Sequence, residues 1–259
     1  MRQGGGGRSA AAVLRGRRLI SAIVQARMGS ARLPGKVLRR AAGKTFLEHL
    51  VERLRSAETL DRIVVATSDL PGDAPIVQLC EQHEVACFRG SERDVLDRYY
   101  QAALHDGADT VVRITADCPL VDPGILDDMV RYQQGHEREF DLVTNRHPLT
   151  FPDGLDVDVM PIAALESAWR SAKTPHQREH VIPWFWESGQ RIFNVEHSDN
   201  LFARHRWTVD YEEDATLVAA IFEHLYAPGR VFGLNDILGL LERQPSLREI
   251  NATYLPRAA

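Results

Sequence analysis

Residues 26–36 read ARMGSARLPGK, directly behind the apolar run Leu19 to Val24 and ahead of a segment with helix-start signals. A loop at the carboxyl end of a buried strand turns backbone N–H groups outward, and α/β nucleotide-binding folds hold phosphates there. From Ala26 onward the loop suits that task. Gly29 and Gly35 allow close approach to an anion, and Pro34 stiffens the turn between them. Arg27, Arg32 and Lys36 add charge, the arginines as planar forks and the lysine as a point charge on a flexible stem. The competing reading is a basic surface turn that holds nothing.

Strand and helix signals alternate outward from this loop, which predicts an α/β fold with a mostly parallel sheet covered on both faces. Thr45 and Glu48 have capping-box spacing, followed by a stripe of Phe46, Leu47, Leu50, Val51 and Leu54. Strands are expected at Arg62 to Thr67, Val85 to Phe88, Thr110 to Ile114 and Leu142 to Thr144. Helices are expected at Pro75 to His83, at Asp94 to Leu104, and after the Asp122 cap with its first-turn Pro123. The rhythm changes at Asn145. Leu155, Val157 and Val159 alternate with Asp156 and Asp158, predicting a half-buried strand with two acids on one face. Helices at Ile162 to Ala172 and Gln177 to Trp186, strands at Ile192 to Val195 and Arg206 to Val209, and helices from Glu213 and Asn235 complete the expectation.

Composition narrows the function. With 259 residues, 44% of them hydrophobic, the chain is long enough for one large domain, expected over 19–259 behind a disordered tail at 1–18. A net charge of -5 argues against general nucleic-acid binding, so the basic loop is aimed at a small polyanion. Cys80, Cys87 and Cys118 show neither metal-site nor secreted-domain spacing, which points to reduced thiols and a cytoplasmic location. No apolar run is long enough to span a membrane.

Asp117 follows the fourth expected strand and Asp210 follows RWTV, placing both carboxylates on the sheet edge that carries the Arg27 loop. One or two carboxylates beside a polyphosphate are what Mg²⁺ requires; the alternative for each is a helix cap. His176 and His180 in HQREH share zinc-like spacing, but the sequence shows no third ligand, which favours structural or substrate-facing roles. Glu212, Glu213 and Asp214 fit a helix N-terminus better than a second metal. VIPWFW, residues 181–186, reads equally as core or as a subunit interface.

Five motifs in order, ARMGSARLPGK, RITADCPLVDP, FPDGLDVDV, REHVIPWFW and WTVDYEED, resemble the spore coat polysaccharide biosynthesis protein F family. That family stands among the sugar-acid cytidylyltransferases, with the synthetases of CMP-sialate and CMP-KDO. The resemblance runs from Leu19 to the C-terminus and implies a Rossmann-like, glycosyltransferase-A-type nucleotidyltransferase fold. It implies that Arg27, Ser30, Arg32 and Lys36 hold the CTP triphosphate, that Asp117 and Asp210 bind Mg²⁺, and that Thr115 helps recognise the base. Thr115 and Cys118 depart from the KDO enzymes, which carry a glutamine and an acidic residue there. The loop after Ser30 departs from the sialate pattern.

The expected reaction is attack by an acceptor hydroxyl on the α-phosphorus of CTP with release of pyrophosphate, served by Arg27, Lys36 and Asp117. A sugar or sugar-acid acceptor, bound for surface polysaccharide, is placed under residues 145–158 with Asn145, Arg146, Asp153 and Asp156 as its polar contacts. His147 and Asp156 are candidate bases. A homodimer through 145–195 is expected, and Arg27 and Lys36 are expected at the ligand rather than in the core. The rival functions are a glycosyltransferase that uses a nucleotide sugar and a non-catalytic nucleotide-binding partner.

Overall fold

The computed structural model describes residues 18–256. The tail expected at 1–18 lies outside the described residues, Arg18 excepted. β1 (Ile20–Gln25) is central because it is apolar on both faces, with Ala22 and Val24 on one side and Ile23 on the other. A small hairpin, β2 (Arg40–Ala41) and β3 (Lys44–Thr45), follows the basic loop. Helix α1 (Phe46–Arg55) then starts on the Thr45–Glu48 capping box read from the sequence. The chain continues through β4 (Arg62–Ser68), α2 (Ala74–Gln82), β5 (Ala86–Gly90), α3 (Val95–Asp106) and β6 (Thr110–Thr115). After it come α4 (Pro123–Gly135), capped by Asp122, β7 (Leu142–Thr144), β8 (Asp158–Pro161) and α5 (Ile162–Ser171). Then α6 (Pro175–His180), α7 (Pro183–Glu187), β9 (Ile192–Asn194), α8 (Glu212–Leu225), α9 (Leu234–Arg243) and α10 (Ser246–Glu249) complete the order.

The main sheet runs β5-β4-β1-β6-β8-β7-β9. Its first four strands are parallel, β8 is antiparallel to both neighbours, and β7 and β9 are parallel to each other. Helices α1, α2 and α4 cover one face and α3, α5 and α7 the other, as expected for a mostly parallel sheet. A third apolar cluster joins α8 and α9 to Phe46 and Trp207. Strand order reverses between β1 and β6, so a crevice opens at their carboxyl ends, where Gln25 stands beside Thr115. Among the described residues no helix is long and apolar enough to cross a membrane.

Three local expectations are corrected and one open reading is resolved. The helix expected at Gln177 to Trp186 breaks at Val181, which takes φ 66 and ψ -64 ahead of Pro183. The alternating 155–159 segment pairs only from Asp158 onward, and all of it but Asp156 is buried. Residues 206–209 join no sheet. Instead the Asp153 carbonyl accepts hydrogen bonds from Trp207 N–H at 2.6 Å and Thr208 N–H at 2.9 Å, and Val209 N–H donates to the Asp117 carbonyl at 2.8 Å. VIPWFW is core: Val181, Ile182, Trp184 and Phe185 are buried within the chain.

The clamp that carries Asp210 to the crevice depends on Gly154. Its φ is 112, and a Cβ there would stand 2.4 Å from Thr208 N and 2.5 Å from Trp207 C. Neither atom can yield without moving the clamped backbone. Gly154→Ala is expected to cost about 3 kcal/mol or more, read as a lower urea midpoint at unchanged slope. A midpoint equal to wild type would show that the clamp relaxes freely.

Candidate active site

The loop after β1 is closed by Gly35, whose φ of 69 suits glycine and whose N–H donates to the Met28 carbonyl at 2.9 Å. Met28 N–H is held by Asp73 at 2.7 Å. The N–H groups of Arg27, Ala31 and Arg32, three residues that line the crevice, find no partner among the described residues. The crevice beside this loop has a volume of about 660 Å³. Ala26, Arg27, Ser30, Arg32, Lys36, Thr115, Asp117, Arg146, Asp153, Asp156 and Asp210 all line it, so the structure brings together nearly every site residue expected from the sequence.

Lys36 organises the site. Only 9% exposed, it donates from Nζ to Asp117 Oδ2 at 2.9 Å, the Val209 carbonyl at 2.6 Å and Asp210 Oδ1 at 3.0 Å. Burial alone would lower its pKa, but the two carboxylates outweigh burial and hold it above the ordinary value. Asp210 also takes Arg32 at 2.7 Å and Arg206 at 2.9 Å. Burial pushes its pKa up, and these cations with Lys36 bring it below the carboxylate norm. Neither Asp117 nor Asp210 caps a helix. The cap of α8 belongs to Asp214, which accepts from the N–H groups of Asp210 and Tyr211. Arg27 makes no ion pair with a described residue and presents its charge to the crevice.

The carboxylates of Asp117 and Asp210 converge on one cation, which is the chemistry Mg²⁺ asks of two hard oxygen donors. Among the described residues no group of three or more His, Cys, Asp or Glu side chains could hold a metal. The donor set therefore fits Mg²⁺ only with phosphate oxygens and water completing it, and Lys36 would have to release the carboxylates.

Asn145 is the misplaced residue. It is 1% exposed, and its amide is used up between the Leu155 carbonyl at 2.8 Å and Val157 N–H at 3.0 Å. It pins the segment that carries Asp153 and Asp156 rather than meeting a substrate. Gly29 is exposed and does not line the crevice. Asp153 pairs with Arg206 at 2.5 Å and Asp156 with Arg146 at 2.8 Å. Burial and its neighbours Asp158 and Asp117 still hold the Asp156 carboxyl above its ordinary range, against Arg146.

Sequence reasoning missed a second cavity of about 280 Å³ that adjoins the crevice through Arg113, Arg146 and His180. His147, His176, Ile182, Pro183 and Trp186 complete its wall, and among the described residues no carboxylate lines it. The His176 and His180 rings meet edge-on at 4.7 Å, and His147 stacks on Trp186 at 4.9 Å. Arg113, tied to Asp158 at 2.9 Å, keeps its Nε buried without a hydrogen-bond partner. The HQREH spacing was the available signal, since positions four apart share a helix face.

Comparison with known proteins converges on one group. The cytidylyltransferase family matches residues 21–217. A protein of unassigned function from Methanocaldococcus jannaschii is 37% identical over 236 residues, covering 90% of this chain and 94% of its own. The spore coat polysaccharide biosynthesis protein SpsF of Bacillus subtilis is 31% identical, covering 86% of this chain and 94% of its own. The solved structure of a cytidylyltransferase from Leptospira borgpetersenii superposes with a TM-score of 0.85 at 29% identity, over 89% of this chain and 97% of that one.

The geometry separates the two leading cations and corrects the expectation that both stand clear of the packed interior. Lys36→Ala leaves Asp117 without its cation beside an Asp210 still held by Arg32 and Arg206, and is expected to lose about 1–3 kcal/mol of stability. Arg27→Ala is expected to leave stability within about 0.5 kcal/mol of wild type. Urea unfolding of both variants checks this; equal stabilities would mean that the Lys36 triad holds nothing together.

Proposed function

The chain belongs to the cytidylyltransferase family, and on that premise we propose that it transfers the cytidylyl group of CTP to a hydroxyl of a sugar or sugar acid, releasing pyrophosphate, for surface polysaccharide. The observation that carries this reading is the convergence of Lys36, Asp117 and Asp210 beside the unpaired Arg27. That arrangement suits a triphosphate at the carboxyl ends of β1 and β6. The open N–H groups of the loop donate to phosphate oxygens, and Arg27 and Arg32 neutralise their charge. Lys36 moves from the carboxylates to the phosphates as the ligand enters. Bound between Asp117 and Asp210, magnesium would supply Lewis-acid stabilisation of charge on the phosphates.

The second cavity takes the acceptor. Its lining of two arginines and three histidines without a carboxylate favours an acidic sugar, and Trp186 offers a wall for the ring. Arg146 pairs with Asp156 and lines both the crevice and the second cavity, and so stands between the two substrates. A homodimer rests on the edge strand β9 rather than on VIPWFW, whose area the core consumes. Light scattering should then give twice the chain mass of 29.1 kDa.

Incubation with each of the four nucleoside triphosphates and a panel of neutral and acidic sugars should release pyrophosphate with CTP and an acidic sugar. Consumption of a nucleotide sugar instead would overturn the reading in favour of a glycosyltransferase. Asp117→Asn and Asp210→Asn are each expected to depress pyrophosphate release by about two orders of magnitude or more, with partial recovery at high Mg²⁺. Near-wild-type turnover at low Mg²⁺ would place the metal elsewhere.

A further inference from the structure

His180 is the last residue of α6 and, among the described residues, the only histidine lining the main crevice. It also lines the second cavity, so its imidazole stands where the two meet. The backbone holds it there at a cost. Val181, with φ 66 and ψ -64, makes a γ-turn in which Ile182 N–H donates to the His180 carbonyl at 2.7 Å. This is the strained form of the turn, and a β-branched residue is the least suited to it. Such strain persists only where the surroundings over-determine it. Here Val181 is wholly buried and Pro183 follows. Arg178, two residues upstream, is locked by Asp94 at 2.5 Å and the Trp169 carbonyl at 2.6 Å.

The other candidate proton acceptors are engaged or displaced. Asp156 is paired with Arg146 and Asp153 with Arg206, while Asp117 and Asp210 hold Lys36 here and would hold magnesium once the nucleotide enters. His147 lines only the second cavity and is stacked on Trp186; Glu179 lines only the crevice. We propose that His180 is the general base of the transfer, taking the proton of the acceptor hydroxyl as that oxygen attacks the α-phosphorus of CTP. The new oxygen–phosphorus bond forms as the bond to pyrophosphate breaks. The electron pair leaves with pyrophosphate, and the proton stays on the imidazole until solvent takes it. This rests on the nucleotidyltransferase reading above.

The groups facing the ring keep it neutral. Burial, then His176 on its own helix, Arg113 on β6 and Arg146 after β7 hold its pKa below the ordinary histidine value, against Glu179. The base is therefore active above its folded pKa and lost as pH falls through it. That pKa should rise when the anionic nucleotide binds.

Two measurements test the proposal on the full chain. NMR titration of the His180 ring, assigned by its disappearance in His180→Gln, should show a pKa below about 6.5 that moves up on adding CTP. In pyrophosphate release with the acidic sugar that the panel selects, His180→Gln should lower kcat about 100-fold. It should also remove the acid limb of the pH profile while leaving the calorimetric Kd for CTP within about twofold of wild type. Imidazole should partly restore turnover to His180→Ala, which a merely structural histidine would not allow. A His180 resonance indifferent to CTP, an acid limb that survives in His180→Gln, or a limb lost instead in Glu179→Gln would each overturn the assignment. A wild-type chain that binds no CTP would overturn the nucleotide reading itself.

Discussion

The active cleft depends on one buried ammonium. Lys36 has three donors and three acceptors, and those acceptors come from the segment after β6 and from residues 209 and 210. Chain stretches more than eighty residues apart are drawn to one point. Without the cation, Asp117 and Asp210 would set two negative charges against each other in a half-buried space, which would drive them apart or protonate one of them. Arg32 and Arg206 complete the balance on Asp210, and Asp214 anchors Arg206 from α8. The basic loop is thus not a surface ornament awaiting a ligand. It holds the C-terminal third of the cleft in place while keeping Arg27 free.

This arrangement changes how the two halves of the site relate. In the main crevice the carboxylates of Asp117, Asp153, Asp156 and Asp210 each meet a cation at close range. On the other side lies a cavity rich in cationic and imidazole groups with no acid on its wall. Arg113 and Arg146 stand between them, each tied to an aspartate of the 156–158 stretch. Asp158, fully buried, is satisfied by Arg113 and by Thr144 at 2.7 Å, so the β6–β8 pairing carries an ion pair through the sheet at the boundary of the two cavities.

Much of this was legible from residue order. Apolar runs ending in glycine and charge marked β1 and its loop, and the Thr45–Glu48 box and the Asp122–Pro123 pair marked helix starts, because those signals are local. Asp117 could be placed on the edge that carries the loop because strand ends in a parallel sheet share one, whereas Asp210 reaches that edge through the clamp on Asp153 and Asp117 and not through the strand expected at 206–209. What stayed hidden was settled by partners distant in sequence. Alternation at 155–159 announces a pleat but not which strands flank it, so the antiparallel insertion of β8 could not be read. Asn145 looked like a ligand because an amide in a loop is equally suited to tie backbone. The break at Val181 hides in an apolar run, where a β-branched residue gives no warning of positive φ. The carboxylate partners of Lys36 were hidden because its spacing reveals its charge and not the company it keeps.

The antiparallel strand β8 carries a consequence for how such a protein diversifies. It sits between β6 and β7, so the stretch of chain from 145 to 157 leaves the sheet and returns to it within one edge. That excursion is moored at its root by the Asn145 amide and farther along by the Asp153 carbonyl. Between those moorings, side chains can be exchanged without altering strand order, and without touching the loop after β1. Selection can therefore rework what the cleft accepts while the machinery for phosphate is inherited unchanged. A lineage built on this frame is free to supply different polymers from a common activated nucleotide chemistry.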